Sequence, residues 1–319
     1  MVQNSAALKT EKSILLQSNK KRINKYIYKY WQYYLFILPT LAYFIIFKYF
    51  PMYGIQIAFR NFSPSKGIWG STWIGFDNFT RFFSSFYFTR LLSNTLLISL
   101  YELAFFPLPI LFALSLNELG NLKFKKIIQT ITYAPYFLST VVFVSLILSF
   151  LDPRTGIINR VIVLLGGSSA SFISNPAAFK TIYVLSGVWK TLGWNAIIYL
   201  GTLANADPAL HEAAQIDGAS RLQRIWHINL PCLTPTIVIL FILRLGSIMS
   251  VGYEMVYLMQ NSLNMSGSDI IATYVYRVGL IEAQYGLSAA VGLFNSVINI
   301  ILILIANTLS RKLTENSLW

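Results

Sequence analysis

The sequence predicts an all-α integral membrane protein with six membrane-spanning helices, and two observations support this prediction. Charged residues make up only 12% of the 319 residues, against 55% hydrophobic residues. That is about half the ~25% charged share of ordinary soluble domains, too little to solvate a globule of this size. In addition, six stretches each have the roughly 20 mainly apolar residues that one bilayer crossing requires.

Three of the six stretches have uncharged apolar runs. Residues 127–151 and 285–310 are uncharged throughout. Residues 31–47 are also uncharged, and this stretch continues past Lys48 into an apolar segment that ends at residue 58. Because uncharged runs of this length are typical of membrane spans, we take these stretches as the first, third and sixth spans.

The second, fourth and fifth stretches are long enough but carry ionised side chains. These are Glu102 in residues 91–116, Lys190 in residues 181–204, and Arg244 with Glu254 in residues 236–258. A charge that faces lipid is costly, whereas one that lines a wet cavity is not. We therefore expect these side chains to face a shared polar interior.

The distribution of Lys and Arg predicts the orientation of the spans. Basic residues collect on the cytoplasmic side of membranes, and they are more numerous in the segments that lie inside when the N-terminus is cytoplasmic. Both termini are therefore assigned to the cytoplasm. The predicted organisation is a basic tail at 1–30, a first span with an outer amphipathic loop at 31–90, a core at 91–313 with a cytoplasmic polar segment at 207–231, and a tail at 314–319.

The basic N-terminal tail and the net charge of +13 raise the question of nucleic-acid binding. Basic residues are interleaved with tyrosines over residues 21–34, next to the first span. This pattern is more typical of an interfacial anchor on anionic lipid headgroups than of a nucleic-acid arm. We therefore expect membrane lipids, and no nucleic acid, as partners of the tail.

Little in the sequence indicates catalysis or metal binding. Cys232 is the single cysteine, which excludes an internal disulfide, and the two histidines, His211 and His227, have no evident third ligand nearby. No stretch matches the glycine-rich G-x-x-x-x-G-K-[ST] loop that cradles nucleotide phosphates. We expect no metal, cofactor or catalytic site on this chain.

The polar segment 207–231 has the pattern of two short helices separated by a sharp bend. Asp207 followed by Pro208 is a favourable helix start, and Gly218 can adopt the left-handed conformation that ends a helix. Ser220 and Gln223 have the spacing of a capping box, which starts a second helix. The segment is therefore predicted to form helix, bend and helix.

Small side chains surround this bend, and an apolar stripe follows it. Ala213, Ala214 and Ala219 leave the backbone open to close approach by a partner. The stripe, at helical spacing, consists of Leu222, Ile225, Trp226 and Ile228. These features favour a protruding knob that fits a socket on another protein, and an ordinary helical hairpin on the membrane surface is the alternative.

One spaced pattern in this segment resembles the EAA loop of the permease subunits of binding-protein-dependent ABC importers. It consists of Glu212, Ala213, Ala214, Gly218, Ile228, Leu230 and Pro231. The stretches APYFLSTVVF, GASRLQRIWHINLP and ATYVYRVGL look like those of permeases for complex oligosaccharides and polysaccharide fragments, in the maltose-type group. The resemblance extends over residues 91–313 and implies the five-helix core of a type I ABC importer permease.

The resemblance implies a set of partners in a bacterial plasma membrane. In that family a second, related permease supplies the other half of the solute path, and two copies of a separate ATPase hydrolyse ATP with Mg²⁺. The loop contacts the ATPase through positions matching Glu212 and Gly218, with Ala213, Ala214 and Ala219 as the close-packing surface. An extracellular binding protein delivers the sugar, and the first span packs around the neighbouring permease.

The candidate residues for a solute path lie in the three spans that carry ionised side chains. Candidates are Glu102, Lys190, Trp194, Asn195, Arg244, Tyr253 and Glu254. Aromatic rings can stack on sugar rings and polar groups can bind hydroxyls, although packing alone also explains aromatics in spans. An ion pair of Glu102 with Arg244 or Lys190 is the structural alternative to direct contact with solute. An excess of basic groups near mid-membrane would tolerate an acidic sugar, while Glu254 would offset it.

Two other classes of protein remain as alternatives. A membrane scaffold or sensor could use the knob to recruit a cytoplasmic partner without transporting a solute. A secondary transporter is disfavoured because the two halves of the chain show no obvious inverted repeat with paired broken helices. Outer segments 59–88, 159–175 and 261–282 form a candidate rim for the delivery protein, with solvated connectors as the alternative.

Overall fold

A computed structural model describes residues 29–314, with side chains as far as Lys312. The described chain is mostly helical, with a single two-stranded ribbon, which confirms the all-α prediction. Most of the two predicted cytoplasmic tails lies outside the described residues. The chain divides into two compact units, Met1–Gln56 and Ile57–Trp319, which are considered separately.

The first described element is a long apolar helix, α1 (Trp31–Phe59), that includes a π-helical segment at Ile45–Tyr49. Pro39 lies inside it, and Pro51 follows the π-helical segment. A proline has no N–H to donate and interrupts the regular hydrogen-bond ladder. None of the side chains in Trp31–Phe44 is buried, as expected for a helix surrounded by lipid.

A short two-stranded ribbon and two small helices follow α1. Strand β1 (Arg60–Asn61) pairs antiparallel with β2 (Thr72–Trp73), and Arg60 lies opposite Trp73. Helix α2 (Gly67–Gly70) lies between the strands in sequence, and α3 (Asp77–Phe83) follows them. The Arg60 guanidinium lies 5.6 Å from the ring of Trp69 and 5.5 Å from that of Trp73.

The remaining helices all belong to the second unit. They are α4 (Phe86–Ala104), α5 (Pro107–Asn117), α6 (Leu122–Tyr133), α7 (Thr140–Leu151), α8 (Ile157–Leu164), α9 (Pro176–Leu203), α10 (Pro208–Ile216), α11 (Arg221–Arg224), α12 (Leu230–Gly246), α13 (Tyr253–Met259), α14 (Met265–Ser268), α15 (Ile271–Tyr276) and α16 (Tyr285–Thr314). A 3-10 turn, Ala134–Phe137, extends α6, and π-helical segments follow α11 at Ile225–Asn229 and α15 at Arg277–Ile281.

Among residues 29–314, four helices are long and apolar enough to cross a membrane, or five if one bent pair is a single span. The four are Trp31–Phe59, Phe86–Asn117, Arg221–Gly246 and Tyr285–Lys312. The predicted count of six is therefore not confirmed. Helix α9 has 28 residues and is long enough, but its Lys190, Thr191 and Asn195 lower its hydropathy.

The third predicted span, residues 127–151, is not one straight helix. Leu122–Phe137 and Thr140–Leu151 meet at an angle of 105°. Pro135 lies in the 3-10 turn that ends the first half, and the Ser139 hydroxyl accepts a hydrogen bond from the Val142 N–H to start the second. Two local signals, a proline and an N-cap serine, thus break a stretch that hydropathy alone treats as continuous.

The fifth predicted span, residues 236–258, is displaced in the structure. The helix begins earlier and ends at Gly246, where a Cβ would lie within 2.8 Å of Ile303 in α16. The chain then runs without helix to Tyr253, and the Asn299 side chain accepts a hydrogen bond from the Met249 N–H. The loop is thereby fixed to α16, and Tyr253 and Glu254 belong to a separate helix.

Three buried clusters hold the second unit together. The largest joins α4, α7, α9 and α13 through residues such as Ile98, Phe143, Val184 and Val256. A second contains Phe82 of α3 with Leu91 and Tyr274. The third joins α5, α9 and α12. Long-range packing is most extensive between α9 and α5 and between α12 and α16.

Candidate functional site

A cavity of about 770 Å³ lies among α4, α7, α9, α12 and α13, and we call it the main cavity. Its walls are partly apolar, with Phe105 and Val188 among the lining residues. Six of the seven predicted solute-path residues line it: Glu102, Lys190, Asn195, Arg244, Tyr253 and Glu254. The structure thus brings together polar groups from four helices, and their contact with solute stays a prediction.

Glu102 and Arg244 form an ion pair across the main cavity wall, between Oε2 and Nη2. The two side chains remain 21% and 41% exposed, respectively. Of the two partners that the sequence left open for Glu102, the structure therefore selects Arg244. Because the guanidinium is only partly covered, it stays accessible from the cavity.

Lys190 has no carboxylate partner within ion-pair distance among residues 29–314. Its Nζ donates a hydrogen bond to the Thr140 hydroxyl at 3.3 Å and lies 5.1 Å from the centre of the Phe143 ring. These contacts orient the ammonium group without neutralising its charge. Thr140 and Phe143 were not anticipated, because they lie on α7 and no local pattern links them to Lys190.

Trp194 is the one predicted solute-path residue that does not line the main cavity. Its ring stacks on that of Tyr136, with centroids 4.3 Å apart and planes 4° apart. The neighbouring Gly193 allows this approach, since a Cβ there would lie 2.4 Å from the Thr132 carbonyl oxygen. Trp194 therefore packs against the bend between α6 and α7.

The polar segment 207–231 folds as its capping residues predict, and we call it the coupling loop. The Asp207 carboxylate accepts a hydrogen bond from the Ala209 N–H at 2.9 Å and starts α10. Gly218 has φ 78°, in the left-handed region, and makes the bend. Ser220 and Gln223 form both hydrogen bonds of a capping box.

The two short helices of the coupling loop expose their side chains, and neither α10 nor α11 contains a buried residue. Glu212 and Ala213 are exposed, while Ala214 and Ala219 are half-buried. Three large apolar side chains are mostly exposed: Ile216 (86%), Leu222 (78%) and Trp226 (67%). Ile228 is half-buried, and Leu230 and Pro231 begin α12.

Asn229 connects the coupling loop to the end of α5 through a side-chain hydrogen bond. The residue is fully buried, and its Nδ2 donates a hydrogen bond to Glu118 Oε1 at 3.4 Å, just beyond the end of α5. Sequence reasoning missed this residue. A polar side chain at the start of an apolar helix is the signal that could have found it.

Among residues 29–314, no group of three or more His, Cys, Asp or Glu side chains is arranged to hold a metal ion. Nδ1 of His227 lies 2.9 Å from the Gln223 carbonyl oxygen, within the coupling loop. Cys232 is a free, half-buried thiol 3.9 Å from the Thr202 carbonyl oxygen. The side chains of His227 and Cys232 therefore each contact a backbone carbonyl group of the protein itself.

Comparison with known proteins gives consistent matches. The family model described as binding-protein-dependent transport system inner membrane component matches residues 106–315. Protein LplB of Bacillus subtilis is 46% identical over 287 residues, 90% of each chain. The polygalacturonan/rhamnogalacturonan transport system permease protein YteP of the same organism is 45% identical over 287 residues, 90% of this chain and 89% of the relative.

Solved structures match over nearly the whole chain. One is a chain from the crystal structure of a bacterial ABC transporter involved in the import of the acidic polysaccharide alginate. It superposes with a TM-score of 0.85 and is 41% identical in sequence, covering 92% of this chain and 99% of its own. A second chain, from that kind of transporter in complex with an alginate pentasaccharide-bound periplasmic protein, gives a TM-score of 0.84 at 40% identity, with the same coverage of both chains.

Proposed function

The chain belongs to the family of binding-protein-dependent transport system inner membrane components, as a permease subunit of a sugar ABC importer, and we propose that its substrate is an oligosaccharide that carries uronic acid groups. Permease subunits are non-catalytic, and ATP is hydrolysed on a separate chain. A scaffold or sensor without transport is not favoured, since the relatives are permeases.

The observation that supports an acidic substrate is the ammonium group of Lys190. It lines the main cavity without a carboxylate partner among the described residues, whereas Arg244 is already paired with Glu102. A cation away from bulk water is costly unless an anion compensates it. A uronate carboxylate would supply that anion, and the alginate and polygalacturonan/rhamnogalacturonan transporters are named for acidic polysaccharides.

The acidic-substrate proposal is tested by Lys190→Gln in the complete transporter, reconstituted in proteoliposomes with its partner permease, ATPase and delivery protein. Hydrogen bonds to charged groups contribute about 1.5–3 kcal/mol, so we expect uptake of trigalacturonate to fall at least about ten-fold, and uptake of maltotriose much less. Lys180→Gln is the matched control, because it removes the same charge from α9 outside the main cavity. An equal loss for both sugars would remove the argument for charge recognition.

The proposal includes the arrangement of the subunit in the membrane. Six spans, with α9 as one of them, leave both termini and the coupling loop in the cytoplasm of a bacterial cell. Cysteine labelling tests this arrangement: in a Cys232→Ser background, a cysteine placed at position 217 should react only with a reagent that crosses the membrane. Labelling of this cysteine by a reagent that cannot cross the membrane would show that the orientation is the reverse of the one proposed.

The proposal also includes the partners. The exposed small and apolar side chains of the coupling loop would fit a cleft on an ATPase that binds ATP and Mg²⁺, with two such ATPases beneath a pair of permeases. A related second permease would supply the other half of the solute path, with α1 packed around it. A solute-binding protein would dock on the outer loops. Co-purification of an ATPase and a second permease with this chain is the direct test.

A further inference from the structure

Helix α13 presents two faces of opposite character. Met255, Val256 and Met259 are buried in the largest core cluster. On the other face, Tyr253 is half-buried, while Glu254 and Tyr257 are exposed. Residues three or four positions apart are neighbours on a helix surface. Tyr257 is therefore next to both Tyr253 and Glu254, and the two tyrosines and the carboxylate form one continuous surface.

A third tyrosine completes this surface from α15. The ring centroids of Tyr253 and Tyr257 are 5.4 Å apart, with the planes at 24°. Tyr276 lies 5.1 Å from each of them. We call Tyr253, Tyr257 and Tyr276 the tyrosine cluster. Each ring contacts the other two, so the cluster is an aromatic surface whose orientation is fixed by mutual packing.

The tyrosine cluster is continuous with the main cavity. Tyr253 and Glu254 are both lining residues, together with Glu102 and Arg244. The Glu254 carboxylate has neither a hydrogen-bond nor an ion-pair partner among residues 29–314. Tyr257 is 43% exposed, so aromatic surface and free carboxylate remain available together at the edge of the cavity.

We propose that the tyrosine cluster and Glu254 form a binding subsite for one pyranose ring of the transported oligosaccharide at the edge of the main cavity. The inference rests on the proposed function in taking the solute to be a carbohydrate. An aromatic face contacts the C–H groups of a sugar ring, while a carboxylate and phenol hydroxyls bind its hydroxyl groups. Lipid is the poorer occupant, since a carboxylate that faces hydrocarbon is costly.

This subsite differs in chemistry from the cationic side chains that line the main cavity, Lys190 and Arg244. Lys190 would recognise the substrate's carboxylate, whereas the tyrosine cluster would recognise the ring itself, whether or not the ring carries an acid. Loss of the cluster should therefore lower the transfer of neutral and acidic sugars alike. Loss of the Lys190 ammonium group should lower the transfer of the acidic sugar more than that of the neutral sugar.

Tyr257→Leu in the complete reconstituted transporter tests the subsite. The measurements are sugar uptake per ATP hydrolysed, with trigalacturonate and with maltotriose, and the concentration of loaded delivery protein that half-saturates ATP hydrolysis. An aromatic contact is worth about two- to ten-fold in an equilibrium, so uptake per ATP should fall by that factor for each transported sugar. The half-saturating concentration should not change.

Three further variants distinguish a loss of stacking from a loss of folding. Tyr257→Phe keeps the ring and should retain more uptake per ATP than Tyr257→Leu. Phe124→Leu removes an exposed aromatic ring of α6, away from the tyrosine cluster and the main cavity, and should leave uptake per ATP at the wild-type value. In a Tyr257→Trp variant, addition of trigalacturonate or maltotriose should change the fluorescence of the transporter relative to the wild type.

The outcomes separate the proposals. Unchanged uptake per ATP in Tyr257→Leu, or equal losses in Tyr257→Phe and Tyr257→Leu, would overturn the stacking role. A raised half-saturating concentration with normal uptake per ATP would make the cluster a docking surface for the delivery protein instead. Preference of the wild type for maltotriose would overturn the acidic substrate alone, since the tyrosine cluster is then tested with that sugar.

Discussion

The coupling loop and the main cavity are stabilised in opposite ways. Apart from the bond between Asn229 and Glu118, hydrogen bonds in the loop join near neighbours, such as Ser220 and Gln223, and none of the side chains in its two short helices is buried. The cavity wall depends on an ion pair between Glu102 and Arg244, which are 142 positions apart. Backbone conformation therefore determines the shape of the loop, and contacts between helices determine that of the cavity.

The largest effect is expected where a contact between helices is broken. Arg244→Met leaves the Glu102 carboxylate without its cation, and removal of one partner from a buried pair costs about 3–5 kcal/mol. Because Arg244 is 41% exposed, we expect a smaller loss, about 1–3 kcal/mol, measured as thermal stability of the purified transporter. Glu102→Gln added to Arg244→Met should restore part of it. Equal stability of the single and double variants would contradict the pairing.

An intermediate effect is expected at the bend of the coupling loop. Gly218 has φ 78°, and an L-residue in this conformation costs about 1–2 kcal/mol. The space around Gly218 is open, so Gly218→Ala acts through the backbone alone and should reduce uptake per ATP hydrolysed.

Two controls sharpen the Gly218 comparison. Gly218→Asn should be closer to the wild type, since asparagine tolerates the left-handed region. Gly120→Ala introduces the same methyl group into open space without a positive φ and should have no effect. Wild-type uptake per ATP hydrolysed in Gly218→Ala would show that the bend at Gly218 is not needed to link ATP hydrolysis to transport.

The smallest effect is expected at the capping box. Ser220→Ala removes the acceptor for the Gln223 N–H, and loss of an N-cap costs about 0.5–2 kcal/mol. The change should be confined to α11 and appear as faster hydrogen exchange of its amides. Ser220→Asp keeps an acceptor and should protect them. Faster exchange that spread into α12 would mean that the loop is not locally stabilised.

The same contrast explains which features the sequence predicts well. The conformation of the coupling loop can be predicted from Asp207, Gly218, Ser220 and Gln223, because helix caps and left-handed turns depend on only a few adjacent residues. The helical class follows from hydropathy. In each case the deciding interactions are local, or depend only on the average polarity of a stretch.

The helices around the cavity contain most of the features that the sequence did not predict. Hydropathy treats residues 127–151 and 236–258 as continuous, yet the first bends at Ser139 and the second ends at Gly246, where Ile303 of α16 packs closely. Trp194 stacks on Tyr136 rather than lining the cavity. Tyr276, from another helix, joins Tyr253. These positions depend on tertiary contacts that no spacing in a single sequence reveals.

The bend before α7 has an electrostatic consequence for the main cavity. Helix α7 begins at Thr140, which is itself a lining residue beside Lys190. The aligned peptide groups of a helix place partial positive charge at its first turn, which stabilises a nearby anion by about 0.3–1 kcal/mol. By interrupting the helix within the cavity wall, the fold adds the dipole of α7 to the charge of the Lys190 ammonium group, and both favour a negative charge in the cavity.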